Sequence, residues 1–174
     1  MNLTKRVYVY AISIILLILI SISSTPAQKN ASTSVLTGAA LTKVVPTSFY
    51  FAGQSAPTQI RNAAAAQFGA NRFVIVGLVD TSGYSTEISG KYEGFFITDF
   101  PVTIGGKKLD IGAYGFGFSS NGEIRIFDIS SNEIFSVKTT NDSNIKRPRP
   151  LMMVADGANV RLYKGKMYVV VSPK

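Results

Sequence analysis

Four carboxylates, Asp80, Glu87, Glu93 and Asp99, fall within one stretch of 20 residues. Two carboxyl groups held about 5–9.5 Å apart across a cleft can hydrolyse a glycosidic bond, one as acid and the other as nucleophile or base. Little other catalytic chemistry is open to the chain, because its 174 residues include no His and no Cys. That excludes thiolate nucleophiles, disulfides, Cys-ligated metals, imidazole bases and the Ser-His-Asp triad. Acid–base work is left to Asp, Glu, Lys and Tyr. The plainer reading of the four acids, solvated groups at strand ends and turns, is preferred. Asn141-Asp142-Ser143-Asn144 is dense in oxygen ligands but lacks the spaced Asp/Asn-Gly loop of a calcium site, so it reads as a turn. Ser143-Asn144-Ile145-Lys146 fits Ser-x-x-Lys but has neither Ser-Asp-Asn nor Lys-Thr-Gly beside it, and is rejected. No catalytic residue, metal site or cofactor is assigned.

Two other groups of residues point to binding. In Ala113-Tyr114-Gly115-Phe116-Gly117-Phe118, strand periodicity puts Tyr114, Phe116 and Phe118 on one face and the small residues on the other. The aromatic face is expected in the core, with the glycine face under the helix or another close-packed chain. The competing reading lines a cleft for an apolar or sugar ligand with Tyr92, Tyr114, Phe116 and Phe118, the phenol oxygens orienting it. The second group is the basic run Lys146-Arg147-Pro148-Arg149-Pro150, which joins Lys164 and Lys166 to make a cationic C-terminal third. Lys146, Arg147, Arg149, Lys164 and Lys166 form a patch for an anionic envelope polymer or another exported protein, or else a solvated loop. No nucleic-acid motif is present and none is expected.

The elements that position these groups are short. After residue 44, apolar runs cut by turn residues predict strands near 48–52, 72–80, 91–98, 101–104, 107–109, 113–118, 123–129, 133–139, 151–155, 159–163 and 166–172. Phe73 to Val79 is almost continuously apolar and reads as a central strand buried on both faces. Gly105-Gly106 is a two-residue hairpin signal. One short helix is expected over about 57–68. Pro57 suits its first turn, Ala63–Ala66 has high helix propensity, Gly69 can cap it, and Ile60, Ala64 and Phe68 make a stripe. The fold class is therefore mostly β: a single-domain antiparallel β-sandwich or partly closed barrel with one short helix.

Residues 1–27 read as a signal peptide. Lys5 and Arg6 precede an apolar run from Val7 to Ile22, and Thr25-Pro26-Ala27 supplies small residues at a cleavage position. An uncleaved membrane anchor over 7–22 is the rival, and either places the remainder outside the cytoplasm, periplasmic or secreted. Contact with the membrane is expected through this segment alone. Losing Lys5 and Arg6 with the leader lowers the net charge from +8 to +6. Residues 28–43, polar and small, read as a flexible tether or weak first strand, and 44–174 as the β-rich domain.

Val102-Thr103-Ile104-Gly105-Gly106-Lys107-Lys108-Leu109, followed by Gly112-Ala113-Tyr114-Gly115-Phe116, resembles a hairpin of uncharacterised exported bacterial β-domains that typically read iGGkkLpaGxYgf. Asp110-Ile111 stands where those domains have Pro-Ala, and the similarity spans 17 residues, Val102 to Phe118. The resemblance implies a β-sandwich and an exported setting, and no activity. The expected function is a non-catalytic binding or interaction module of the cell envelope. The alternatives are a carboxylate-dependent hydrolase and a purely structural envelope component.

Overall fold

Short apolar runs separated by tight turns favour antiparallel pairing of successive strands. The computed structural model describes residues 33–174 and follows that pattern. In chain order the elements are β1 (Thr33–Val35), α1 (Gly38–Val44), β2 (Ser48–Phe51), β3 (Gln54–Phe68), β4 (Phe73–Val79), α2 (Thr86–Ser89), β5 (Gly94–Thr98) and β6 (Val102–Ile104). They continue with β7 (Lys107–Leu109), β8 (Gly112–Phe118), β9 (Glu123–Phe127), β10 (Glu133–Lys138), β11 (Thr140–Asn141), β12 (Arg149–Asp156), β13 (Asn159–Gly165) and β14 (Met167–Pro173). Eight strands make one sheet in the order β1-β3-β4-β5-β8-β9-β10, with β2 also paired to β3. Six make the other, in the order β12-β13-β14-β6-β7, with β11 on β14. Every pairing is antiparallel, and neither sheet closes into a barrel. The molecule is a β-sandwich.

Between the sheets lies a first core. The eight-stranded sheet supplies Ala64, Ala66, Phe68, Val74, Val76, Phe96, Phe116, Ile124 and Ile126, and the six-stranded sheet answers with Val102, Ile104, Leu151, Val160, Leu162, Val169 and Val171. A second core covers the outer face of the eight-stranded sheet. There Phe49 and Phe51 of β2, with Val45, Tyr84 and Tyr92, pack on Phe95, Val79 and Phe127, and Leu41 and Val44 of α1 close its edge. β4 is accordingly buried on both faces, as its apolar run predicts: Val74 and Val76 face the first core, Ile75 and Val79 the second. The hairpin β6–β7 turns on Gly105 and Gly106, both at positive φ (53° and 84°), the geometry a two-residue loop requires.

The helix moves. Residues 57–68 lie within β3, and the helices stand instead at Gly38–Val44 and Thr86–Ser89. Helix propensity favours alanine by only about 0.7 kcal/mol or less over ordinary residues. Pairing decides against it: Ala66 lies opposite Val35 on one side and Val74 on the other, and Ala64 and Ala66 alternate into the first core. Gly69 does take positive φ (70°), but in the β3–β4 turn. The weak first strand, one of the two readings of 28–43, is present as β1. Thr33–Val35 pairs with Ala66–Phe68, and Thr33 Oγ1 donates to the Ala158 carbonyl across to the other sheet (3.0 Å). Residues 33–43 thus follow the first-strand reading, because even a three-residue strand satisfies an edge row of backbone groups. The expected leader or anchor at 1–27, and the tether as far as residue 32, lie outside the described residues. Among the described residues no helix is long and apolar enough to cross a membrane.

β8 joins the two cores. Phe116 is fully buried in the first core, while a Cβ on Gly115 would collide with the Phe51 ring and one on Gly117 with the Lys91 carbonyl oxygen. Phe116→Ala is expected to cost about 3–5 kcal/mol. Gly117→Ala should be comparably destabilising, because the obstacle is backbone and cannot rotate away. Gly83→Ala meets nothing within 4 Å and should stay within about 0.5 kcal/mol of the parent. Urea unfolding of the three variants checks the ranking.

Candidate functional site

The four aromatic residues singled out by sequence do not share a cleft. Phe116 fills the first core, with Tyr114 and Phe118 half-buried against it on the same strand face. The Tyr114 hydroxyl donates to the Asp110 carbonyl at 3.1 Å. Tyr92 belongs to the second core, on the opposite side of the sheet, stacked on Phe51 with centroids 3.9 Å apart and edge-on to Tyr84 at 5.5 Å. The glycine face of β8 lies beneath the Phe51 ring and the Lys91–Tyr92 backbone, a close-packed stretch of chain. Phe116 is fully enclosed and offers no surface to a ligand.

The basic residues also divide. Lys146, Arg147, Arg149 and Lys166 are exposed. Lys164 is tied down: its ammonium donates to Glu93 Oε1 and sits 5.5 Å from the centre of the Phe118 ring. Glu93 Oε2 accepts the Phe118 N–H at 3.0 Å, so this carboxylate links β13 of one sheet to β8 of the other. The remaining acids have separate local duties. Asp80 accepts the Ser82 N–H, Asp99 accepts the Phe73 N–H, and Glu87 lies 4.0 Å from Lys91 one helical turn away. Asp142, within the oxygen-rich tetrad, accepts from the Tyr163 hydroxyl and the Asn144 N–H. The Tyr163 hydrogen bond, followed by that of Asn144, lowers its pKa. Among the described residues no three acids gather as a metal site would require.

Two turns and the α2 segment build a concavity of about 620 Å³. The end of β2 and the turn after it bring Tyr50, Ala52 and Gly53, the α2 segment Ser85, Glu87 and Lys91, and the β9–β10 turn Ile129, Ser130 and Ser131. The Ala52 N–H donates to the Ile129 carbonyl at 2.7 Å and ties the outer two turns together. Asp128 organises the last of them, accepting the N–H groups of Ser130 and Asn132 and the Asn132 amide, each at 2.9 Å. Those bonds, the Asn132 side chain's foremost, hold its carboxyl below the ordinary range. Ala52 (φ 49°) and Ser131 (φ 73°) are the two non-glycine residues at positive φ among the described residues, and both line this groove. Such backbone strain tends to cluster at functional surfaces. Tyr50 and Ile129 also leave large side chains 56% and 47% exposed there. Sequence reading missed the site, because its parts are two turns and the α2 segment, brought together only by folding.

A smaller hollow of about 260 Å³ is lined by Gln59, Val79, Ser89, Tyr92 and Glu93. The Tyr92 hydroxyl is buried without a hydrogen-bond partner. The chain matches no family model, no curated protein and no solved structure.

Burial, and secondarily the neighbouring Tyr84, raises the Tyr92 phenol well above its ordinary value of 10.0. The fold thus favours the neutral phenol, and the stability this contributes is complete below pH 10 and lost as pH rises beyond it. Tyr92→Phe removes an unpartnered buried hydroxyl, so the variant is expected to be about 1 kcal/mol more stable at pH 7. It should also lose stability less steeply than the parent above pH 10. Urea midpoints between pH 7 and pH 11 check both signs.

Proposed function

We propose that the chain is an exported, non-catalytic binding module of the cell envelope, and that the groove around Tyr50 holds a hydroxyl-rich ligand, an oligosaccharide segment of envelope polymer. The observation that carries this reading is the conjunction at one groove of an exposed aromatic ring, an exposed Ile129 and the hydroxyls of Ser85, Ser130 and Ser131. A sugar presents an apolar ring face as well as hydroxyls, so it can stack on a phenol while hydrogen-bonding the rim. Glu87 and Lys91 add one acceptor and one donor of opposite charge, which suits a neutral polar ligand. Export rests on the basic and apolar leader pattern of residues 1–27.

The hydrolase alternative needs two carboxyl groups facing one bond. Glu87 is the single carboxylate among the groove's lining residues, and Glu93 is engaged by Lys164 elsewhere. The binding reading is therefore preferred.

A glycan array displaying envelope oligosaccharides, followed by calorimetric titration with the best glycan, tests the proposal. Tyr50→Ala is expected to weaken binding about tenfold or more, the loss of roughly 1.4 kcal/mol or more, without lowering the melting temperature. No glycan retained by the parent protein, or equal affinity in the variant, would refute it.

A further inference from the structure

A second groove, of about 300 Å³, lies where β1, β3 and α1 of the larger sheet's side meet β12, the edge strand of the smaller sheet. It shares no lining residue with the Tyr50 groove. Part of its wall is apolar: Val35, Leu41, Leu151, Met152 and Met153 contribute to it. Methionine is unbranched and polarisable, and adapts to a flexible apolar guest.

Arg61 and Arg149 line the same groove, and no carboxylate does. Both are exposed. The ion pairs among the described residues are Lys91–Glu87, Arg161–Asp156 and Lys164–Glu93, and neither arginine takes part. Both stand at breaks in strand pairing. Arg61 lies in the stretch of β3 between Thr58 and Ala63 where the register with β4 shifts. Arg149 begins the irregular stretch of β12 whose register with β13 shifts before Met152. Bulges of this kind redirect side chains and are over-represented beside binding sites. Two strands from different sheets thus each break register and each bring an arginine to one partly apolar groove. Like charges so placed repel, and an anion between them removes the repulsion while accepting the forked hydrogen bonds a guanidinium offers.

We infer that this groove binds a single-chain anionic amphiphile of the fatty-acid type, its acyl chain against Leu41, Leu151 and Met152 and its carboxylate on Arg61 and Arg149. The groove's volume is at the lower end of small-molecule pockets, which suits a medium-length chain.

The test uses the purified full chain in a nonionic detergent and a medium-chain fatty acid carrying a diazirine. Photolabelled peptides are mapped by mass spectrometry. Labelling is expected on residues 35–41 and 149–153. It should fall about tenfold or more in the Arg61→Ser/Arg149→Ser double variant, as loss of charge-assisted hydrogen bonds implies. It should fall likewise with the corresponding fatty alcohol. Met152→Glu, which keeps both arginines but sets a carboxylate beside them, should also suppress it. Melting temperatures of the variants, which alter exposed or half-buried positions, should match the parent. Three results would overturn the inference: labelling confined to residues 7–22 or to other surfaces, groove labelling indifferent to the arginines or to the probe's charge, or competition by inorganic phosphate as effective as by unlabelled fatty acid.

Discussion

The constraint on which the structure turns is that the middle of the larger sheet has no free face. On one side it meets the smaller sheet; on the other, the β2 strand and the loops around α1 and α2 press down on it. β8 carries the consequence most sharply. Its aromatic side chains occupy one core, and on its other face the Phe51 ring and the Lys91 carbonyl come so near that only hydrogen fits at Gly115 and Gly117. Each large side chain enclosed this way contributes about 1.5–3 kcal/mol by leaving water. A chain without disulfides thus draws its stability from two apolar layers in place of cross-links.

Enclosure of the middle of the larger sheet displaces its binding potential to the periphery. The middle strands of the larger sheet are used up in packing, and the two grooves form where turns, α2 and edges meet: around Tyr50, and at the seam between β1 and β12. At the rim the Lys164–Glu93 pair spans the two sheets while covering Phe118. Lys164 is thereby withdrawn from any free cationic surface. Arg149, by contrast, remains unpaired among the described residues and lies at a partly apolar seam.

Most strands could be read along the chain, because their signals are local. Alternation in Glu123–Phe127, the double glycine after Ile104 and the apolar run through β4 each specify an element within a few neighbours. The alanine segment could not be read this way. Its composition favours a helix, but β1 and β4 flank it and the core accepts its alternate methyl groups, and those partners lie up to about 30 residues away in sequence. The aromatic face of β8 was legible as core packing. The grouping of Tyr92 with Tyr114, Phe116 and Phe118 was not, because which face of which sheet a residue joins depends on topology.

Residue types and short-range spacing by themselves determined the mostly β character, the hairpins, the doubly buried β4 and the absence of thiol and imidazole chemistry. These depend on side-chain alternation and backbone freedom, which act within one or two turns of chain. Tertiary structure alone decided where the helices stand, that Lys164 is neutralised by Glu93, that Tyr50 faces the turn at Ile129, and that Arg61 and Arg149 share a groove. The last three of those facts join residues separated by roughly seventy or more positions, and only folding driven by apolar burial brings them within reach.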